Sequence, residues 1–404
     1  MNKYLIKCDI SDIQRFIFNV PADGAAREIK NRVAYVLHIS DECQNVFAKN
    51  FEKVEPLQSG GGSFLVKAQT SKNKEEVASL TKDIQKNYLE KDVFPFLSFV
   101  EITKDNSSID NLIDAVNRKM QRAKLQRPLV YDLLDVQPLQ IPDDFSKLKG
   151  INAQVPRDKN GNLSDFDDIA KSSNGDAKIA ALKLEMDSKN RKGIFDDELL
   201  KLINSKGLQQ NIHVVFSTGD ACFLIGSWNK VFDLAIDLNS LTVEGITFSA
   251  GIEVVQPKYP MTRLVEDVEN ALNASKMAAN RDSVTCFGKT VRWSEFKKSQ
   301  NIAGQLVDLV RNKGESKNLI ARIKSSDIGI SKLQQDASRG RINIPKVWRL
   351  KYFLRNVRQQ NKFEVERLFD EYTNAVLDAF MNRQTVNPDL YPLAARWAEM
   401  LMKK

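Results

Sequence analysis

The sequence predicts an α+β fold in which one βαββαβ unit occurs twice and an all-helical region follows. Three observations predict it: the same order of strands and helices returns within the first 300 residues, two hairpin turns align without a gap, and the pattern beyond residue 301 is helical. The order βαββαβ is that of a ferredoxin-like domain. The predicted boundaries are 1–105 for the first unit, 106–175 for a helical and loop-rich insertion, 176–300 for the second unit and 301–404 for the helical region.

In the first unit, short apolar or alternating runs predict strands, and longer stretches with apolar residues three or four apart predict helices. The predicted strands are 4–9, two strands within 54–68, and 96–103, and the predicted helices are 25–50 and 74–90. Three consecutive glycines, Gly60, Gly61 and Gly62, predict the turn between the two strands of the middle segment.

The second unit repeats this order and adds a strand pair at its end. The predicted strands are 178–186, 211–216, 222–226 and 245–255, and the predicted helices are 195–205, 230–238 and 259–280. Its hairpin turn aligns with that of the first unit, 217–224 against 59–66, without a gap. We interpret this as an internal duplication. A chance match is the alternative, because glycine hairpins are common.

Composition argues against several classes of protein. Hydrophobic residues make up 42% of the 404 residues and charged residues 28%, as in ordinary globular proteins. No apolar run approaches the ~18 residues of a membrane span, and the first residues lack the apolar core of a signal peptide, so we expect a cytoplasmic protein without a membrane partner. Two histidines, no His-Asp dipeptide and no C-x-x-C pair argue against an HD nuclease, a zinc site and a disulfide framework.

Acidic residues mark a candidate site in the second unit. Glu185 and Asp187 end its first predicted strand, where alternate residues share a face, and Asp220 lies in its hairpin turn. Nucleotidyl transferases bring acids from these two places together to bind one or two Mg²⁺ ions. Glu185 and Asp220 could therefore converge on a metal ion. The alternative is that these carboxylates are only solvated.

Several segments resemble one family, in order and across nearly the whole chain. They are 8–17, 59–64, 217–221, 248–252 with 257–260, 270–276, 293–296 and 393–398. Together they resemble the palm-containing large subunit of type III CRISPR effector complexes. The resemblance implies two palm domains of the GGDEF and nucleotidyl-cyclase type. It also implies partners: guide RNA, target RNA, and the backbone and small subunits of a ribonucleoprotein complex for antiviral defence.

In that family the palms bind ATP, and active members join ATP into cyclic oligoadenylates when target RNA is captured. Carried over residue by residue, the resemblance implies ATP and Mg²⁺ or Mn²⁺ as ligands, with Asp220 and Glu185 catalytic if the palm is active. The implied metal ligands are Glu185, Asp187 and Asp220. The implied ATP contacts are Gly60, Gly61, Gly62, Ser217, Gly219 and Lys276.

This sequence departs from the family pattern at the second palm. Glu185 stands where the family usually has Asp, and the GGDD turn has become Thr218-Gly219-Asp220-Ala221. The lost glycine reduces the freedom of the turn, and the lost Asp removes a carboxylate. We therefore expect a weak or silent palm. Because the sequence has no His-Asp dipeptide and no C-x-x-C pair, we also expect no HD nuclease activity and no zinc. An active cyclic oligoadenylate synthetase is one alternative, and a stand-alone GGDEF-related cyclase that forms an RNA-free homodimer is another.

The formal charge of +8 lies in the last quarter of the chain. Residues 301–404 contain 19 Lys and Arg against 11 Asp and Glu, and 337–363 contain no acid. If 347–360 is one helix, Lys351, Arg355 and Arg358 share a face and, with Arg349, suit a nucleic-acid backbone or an acidic subunit. The alternative is a solvated face, with the interleaved aromatic residues packing into a bundle.

Overall fold

The computed structural model describes residues 1–88, 93–103, 108–125, 155–157, 161–187, 195–217, 220–240, 247–278, 281–327, 329, 335–336, 338–340, 347–381, 383 and 386–403. These residues form two compact units, one made mainly of residues 1–155 and the other mainly of residues 156–404. Part of the predicted insertion (106–107, 126–154 and 158–160) and the turn residues Thr218 and Gly219 lie outside the described residues. The four predicted domain boundaries remain predictions.

The first unit contains a four-stranded antiparallel sheet in the order β2-β3-β1-β4. Its strands are β1 (Asn2–Ile10), β2 (Lys53–Gly60), β3 (Ser63–Thr70) and β4 (Pro95–Glu101). Its helices are α1 (Ile13–Phe18), α2 (Ala25–Asn50), α3 (Lys74–Lys86) and α4 (Ile109–Leu125). The chain order and the strand order are those of a ferredoxin-like domain, which confirms the predicted fold of this unit.

Alternation along β1 assigns the two faces of this sheet. The even-numbered side chains, such as Cys8 beside Cys43 of α2, lie in the core under the long helices. The odd-numbered side chains face α4, where Leu5 packs with Leu112 and Val116. Helix α4 falls within the segment predicted as the insertion, yet it covers one face of the first sheet.

The second unit contains a six-stranded sheet in the order β10-β9-β8-β5-β7-β6. Its strands are β5 (Ile179–Met186), β6 (Ile212–Ser217), β7 (Ala221–Ser227), β8 (Phe248–Val255), β9 (Ser283–Cys286) and β10 (Lys289–Arg292). Its helices up to this point are α5 (Phe166–Lys171), α6 (Phe195–Ser205), α7 (Trp228–Ser240) and α8 (Met261–Met277). The inner order β8-β5-β7-β6 repeats β4-β1-β3-β2, so the predicted second ferredoxin-like fold is confirmed.

The C-terminal region is helical, as predicted. It contains α9 (Trp293–Arg311), α10 (Asn318–Ser326), α11 (Trp348–Phe353), α12 (Lys362–Phe380) and α13 (Leu390–Met402). Helix α13 packs against α9 and α10. Its Trp397 ring lies 4.6 Å from Phe232 of α7 and 5.3 Å from Phe296 of α9, measured between centroids. These helices therefore share a core with the second sheet.

The cysteines are structural in this fold. Cys8, Cys43, Cys222 and Cys286 are buried free thiols. Burial raises the pKa of the Cys222 thiol to about 12, so it stays protonated and unreactive at neutral pH. Among the described helices, none is long and apolar enough to cross a membrane.

Candidate functional site

The glycine turn of the first unit has a packing role. Gly61 and Gly62 have φ of 60° and 81°, which L side chains rarely adopt. A Cβ at Gly62 would lie 2.7 Å from Cγ1 of Val36 and 2.8 Å from Cδ1 of Ile13. The turn thus sits directly on α1 and α2. This contact is enough to explain why position 62 is a glycine, with no need for a bound ligand. The ATP role of Gly60, Gly61 and Gly62 stays a prediction.

At the end of β5, Glu185 is held by two lysines. Lys276 of α8 donates to its Oε2 at 2.5 Å, and Nζ of Lys183 lies 3.2 Å from its Oε1. Lys183, whose side chain is 8% exposed, also donates to Oε2 of Glu269 at 2.5 Å. The four side chains therefore form a row of alternating charge, Glu269–Lys183–Glu185–Lys276, from α8 across β5. We call these four residues the charge row.

The charge row keeps Glu185 ionised. Burial raises the pKa of its carboxyl group, but the hydrogen bond from Lys276 and the charge of Lys183 lower it by more, so the net pKa is below the ordinary value. Each of the two carboxylate oxygens already faces an ammonium group. A cation would have to displace a lysine to bind here.

The carboxylate of Asp187 is held by hydrogen bonds from hydroxyl and amide groups, whereas that of Glu185 is held by lysines. It accepts hydrogen bonds from Thr247 Oγ1 at 2.8 Å, Ser249 Oγ at 2.7 Å and the backbone N–H of Asp282 at 3.2 Å. Asp187 thereby ties the end of β5 to the start of β8 and to the turn before β9. In that turn Arg281 and Asp282 have φ of 49° and 40°. The geometry gives Asp187 a positioning role.

The hairpin turn of the second unit lies beside the end of β5, as predicted. The N–H of Met186 donates to the carbonyl oxygen of Asp220 at 2.8 Å, and Glu185 pairs in register with Ala221. Ser217 ends β6, and its buried hydroxyl oxygen has no hydrogen-bond partner among the described residues. The structure therefore brings the backbone of Asp220 to the strand end that carries Glu185.

The described side chains do not fit a two-metal centre as they stand. In the part of the chain that the structure describes, no three His, Cys, Asp or Glu residues converge in the way that a metal ion requires. Glu185 is paired with lysines, and Asp187 is used by two hydroxyl groups and an amide. The assignment of Glu185, Asp187 and Asp220 as metal ligands stays a prediction.

The first unit repeats the charge row in a less charged form. Lys124 of α4 lies 2.6 Å from Oδ2 of Asp9, at the end of β1. Lys7 donates to Oδ1 of Asn117 at 2.7 Å. The paired positions are two residues apart on the strand and seven apart on the helix, as they are for the charge row.

The register shows that these positions are equivalent. Asp9 pairs with Ser63 across the sheet as Glu185 pairs with Ala221, and the gapless alignment of the two turns places Ser63 on Ala221. The carbonyl oxygen of Gly62 accepts from Ile10 as that of Asp220 accepts from Met186. The equivalent pairs are Lys7 with Lys183, Asp9 with Glu185, Asn117 with Glu269, and Lys124 with Lys276. The duplicated unit therefore includes α4 and α8.

The sequence contained a signal for this arrangement. The tripeptides Lys7-Cys8-Asp9 and Lys183-Leu184-Glu185 stand at equivalent ends of the first strands. Of these residues, only Glu185 was among the predicted site residues. The lysines were missed because the pattern Lys-x-acid is short, and its meaning depends on helix residues more than 80 positions away.

The basic C-terminal segment is not one helix. Helix α11 ends at Phe353, two short 3₁₀ turns cover Leu354–Asn356 and Gln359–Asn361, and Val357 between them is extended, with φ −85° and ψ 138°. The helix considered over 347–360 is therefore wrong, and its basic side chains do not share a helical face. The break has tertiary causes: the N–H of Arg358 donates to Glu315.

The four predicted contact residues have different surroundings. Lys351 lies 2.9 Å from Asp370 of α12. The guanidinium of Arg358 packs on Gly314, where an added Cβ would lie 2.6 Å from its Nη1. The guanidinium of Arg349 lies over the Trp348 ring, and that of Arg355 lies over the ring of Tyr352. The assignment of all four to a nucleic-acid or subunit contact stays a prediction.

Two family models match the two units. The model of the Cas10/Cmr2 second palm domain matches residues 163–285, which include β5 and the Asp220 turn. The model of Csm1 subunit domain B matches residues 2–137, which include the first sheet and α4. The chain belongs to the Cas10/Csm1 family. The resemblance to the palm-containing large subunit of type III CRISPR effectors is therefore confirmed.

A curated relative within this family is the CRISPR system single-strand-specific deoxyribonuclease Cas10/Csm1 (subtype III-A) of Mycobacterium tuberculosis (strain ATCC 25618 / H37Rv). The two sequences are 30% identical over an alignment of 89 residues, and the match covers 20% of this chain. The match spans 11% of the length of the relative.

Solved Csm1 structures share the fold of this Cas10/Csm1 family member. The similar structures include the Csm1–Csm4 cassette in complex with pppApApA (TM-score 0.73, 15% identity), the cassette in complex with cA4 (0.70, 16%) and Csm1 in T.onnurineus (0.69, 16%). Each match covers 100% of this chain and 70% of the solved chain. These likenesses confirm the α+β architecture of two palms and a helical region.

Proposed function

We propose that this chain is the large subunit of a type III-like, RNA-guided effector complex. It assembles with guide RNA, with backbone and small subunits, and takes part in sensing target RNA. The observation that carries the proposal is that each unit matches its own Cas10/Csm1 family model, at residues 2–137 and at residues 163–285. The matched cassettes contain Csm1 together with Csm4, which supports a Csm4-like subunit as one partner.

Within this function, we propose that the second palm is catalytically weak or silent. The charge row supports this, because both oxygens of Glu185 face ammonium groups. Asp187, which lies outside the charge row, accepts hydrogen bonds from two hydroxyl groups and one backbone amide. If ATP and one Mg²⁺ or Mn²⁺ bind, Glu185 and Asp220 are the proposed ligands of the ion, and Lys276 has to leave Glu185 for a phosphate. Such an ion would supply charge stabilisation for phosphoryl chemistry.

The second candidate function is cyclic oligoadenylate synthesis in the same complex. Two observations favour it. Cassettes of the same fold are solved with one ATP and with cA4, and Lys276 stands next to the acid at the strand end, as a phosphate-binding lysine would. In this alternative the variant turn at Asp220 still supports catalysis.

Purification from cells that express the neighbouring effector genes tests the assembly. We expect the tagged chain to copurify with a short guide RNA of uniform length and with a repeated backbone subunit, as RNA extraction and mass spectrometry will detect. A chain that elutes as an RNA-free homodimer would contradict the proposal and favour the stand-alone cyclase. A chain treated with nuclease before the purification serves as the control for adventitious RNA.

A further inference from the structure

Helix α11 presents two large aromatic side chains to solvent. Trp348 is 58% exposed and Tyr352 is 63% exposed, and they lie one helical turn apart on the same side. Leu350 and Phe353 of the same helix are buried and attach it to the neighbouring helices. The aromatic pair is therefore held on a fixed element but does not contribute to the core. Of the interleaved aromatic residues, Phe353 does pack into the bundle, beside Phe369, as the alternative expected.

An arginine lies over each exposed ring. The guanidinium carbon of Arg349 lies 5.4 Å from the centroid of Trp348, and that of Arg355 lies 4.6 Å from the centroid of Tyr352. Neither arginine forms an ion pair with an acid among the described residues, whereas Lys351 between them is paired with Asp370. We call Trp348, Arg349, Tyr352 and Arg355 the aromatic platform.

The side chains of the aromatic platform indicate which kind of partner it binds. Exposed rings offer flat apolar faces, and guanidinium groups beside them supply positive charge in a segment, 337–363, that contains no acid. Single-stranded nucleic acid needs both, because its unpaired bases stack on aromatic rings while its phosphates bind arginine. A duplex keeps its base faces stacked on each other and can use only the charge. An acidic protein surface would use the arginines but has less use for two exposed rings.

We propose that the aromatic platform binds single-stranded RNA, with bases stacked on Trp348 and Tyr352 and with phosphates bound by Arg349 and Arg355. This site lies apart from the charge row and the Asp220 turn in sequence. The proposal does not depend on the assignment as an effector subunit, because it concerns the RNA affinity of the chain by itself. A failure of the assembly test and a failure of this one are therefore distinguishable.

Fluorescence anisotropy on the purified full chain tests the proposal, with a labelled 12-nucleotide single-stranded RNA and the matching duplex RNA as probes. We expect Trp348→Ala and Tyr352→Ala each to weaken single-strand binding about tenfold, and Trp348→Phe and Tyr352→Phe to retain most of it. Arg355→Ala should weaken binding and lower the dependence of affinity on salt. Lys171→Met removes the same charge from an exposed lysine of α5 that is paired with Asp168, and it should change the affinity less than twofold.

Circular dichroism will show whether each variant is folded. If the double variant Trp348→Ala/Tyr352→Ala is folded and binds the single strand as the unsubstituted chain does, the proposal is wrong. It is also wrong if the duplex binds as tightly as the single strand. A third contrary result is a double variant that keeps its RNA affinity but loses a copurifying acidic protein, which would assign the platform to a protein contact.

Discussion

Replacing Lys183 by Met is expected to destabilise the second unit by about 3 kcal/mol, because it leaves two carboxylates facing each other in a partly buried site. Lys183 joins Glu185 and Glu269 and is itself almost fully buried. Lys7 occupies the equivalent position in the first unit, but its partner Asn117 is neutral. Lys7→Met should therefore cost only about 1 kcal/mol, as expected for one hydrogen bond.

Hydrogen exchange read at β5 and β1 will measure the two losses separately, since each strand reports on its own unit. The double variant Lys183→Met/Glu269→Gln should recover most of the lost stability, because the second substitution removes one of the stranded charges. Equal losses for Lys183→Met and Lys7→Met would contradict this interpretation, and so would a double variant as unstable as the single one.

The pH dependence of this loss follows from the direction of the Glu185 pKa. Its pKa is lowered in the folded chain, so Glu185 contributes stability above the unfolded value of about 4.3. That contribution is lost as the pH falls through the folded value. The difference in stability between Lys183→Met and the unsubstituted chain should therefore be largest at neutral pH and shrink below about pH 4. A difference that does not change with pH would contradict an electrostatic origin.

Replacing Gly251 by Ala is expected to destabilise the second unit by about 3 kcal/mol, which is at the upper end for overpacking. Gly251 of β8 faces α8, and a Cβ there would lie 2.4 Å from the N of Leu272 and 2.4 Å from the O of Val268. Backbone atoms cannot turn aside as a side chain can, so the helix has to move. The same helix carries Lys276, so the charge row should be disturbed as well.

Two positions serve as controls for this substitution. Gly304 of α9 has open space around it, and Gly304→Ala should raise the stability by about 0.5–1 kcal/mol. Ser98 of the first unit is equivalent to Gly251 and donates a hydrogen bond to the carbonyl oxygen of Val116 at 3.1 Å, so α4 leaves room there for a side chain. Thermal unfolding compares the stability of the Gly251→Ala and Gly304→Ala chains with that of the unsubstituted protein. A Gly251→Ala chain that melts with the unsubstituted protein would show that α8 does not pack as closely as described.

The sequence predicted the repeated order of elements because each strand and helix has the apolar period of its own type. It also predicted the two turns, since glycine marks them. It did not predict that α4 and α8 are equivalent helices, because the shared feature is a set of contacts. Lys124 and Lys276 correspond only when each is seen beside the acid at the end of its strand.

The C-terminal segment shows where local pattern fails. Residues 347–360 contain no glycine or proline, so nothing local predicts a break. The break occurs because Arg358 bonds through its backbone to Glu315 and packs on Gly314, and such long-range contacts override helix propensity. For the same reason, the sequence alone did not decide whether Trp348 is buried or exposed. Its spacing along the chain suits a buried or an exposed face, and tertiary packing decides between them.

Product analysis in the reconstituted complex tests the central claim most directly, namely that this family member acts by assembly while its second palm makes little or no product. The complex is incubated with target RNA, ATP and either Mg²⁺ or Mn²⁺, and cyclic oligoadenylates are measured by mass spectrometry. We expect no more product than from the Asp220→Ala complex, with a complex that carries an intact GGDD turn as the positive control. Abundant product that disappears with Asp220→Ala would contradict the account.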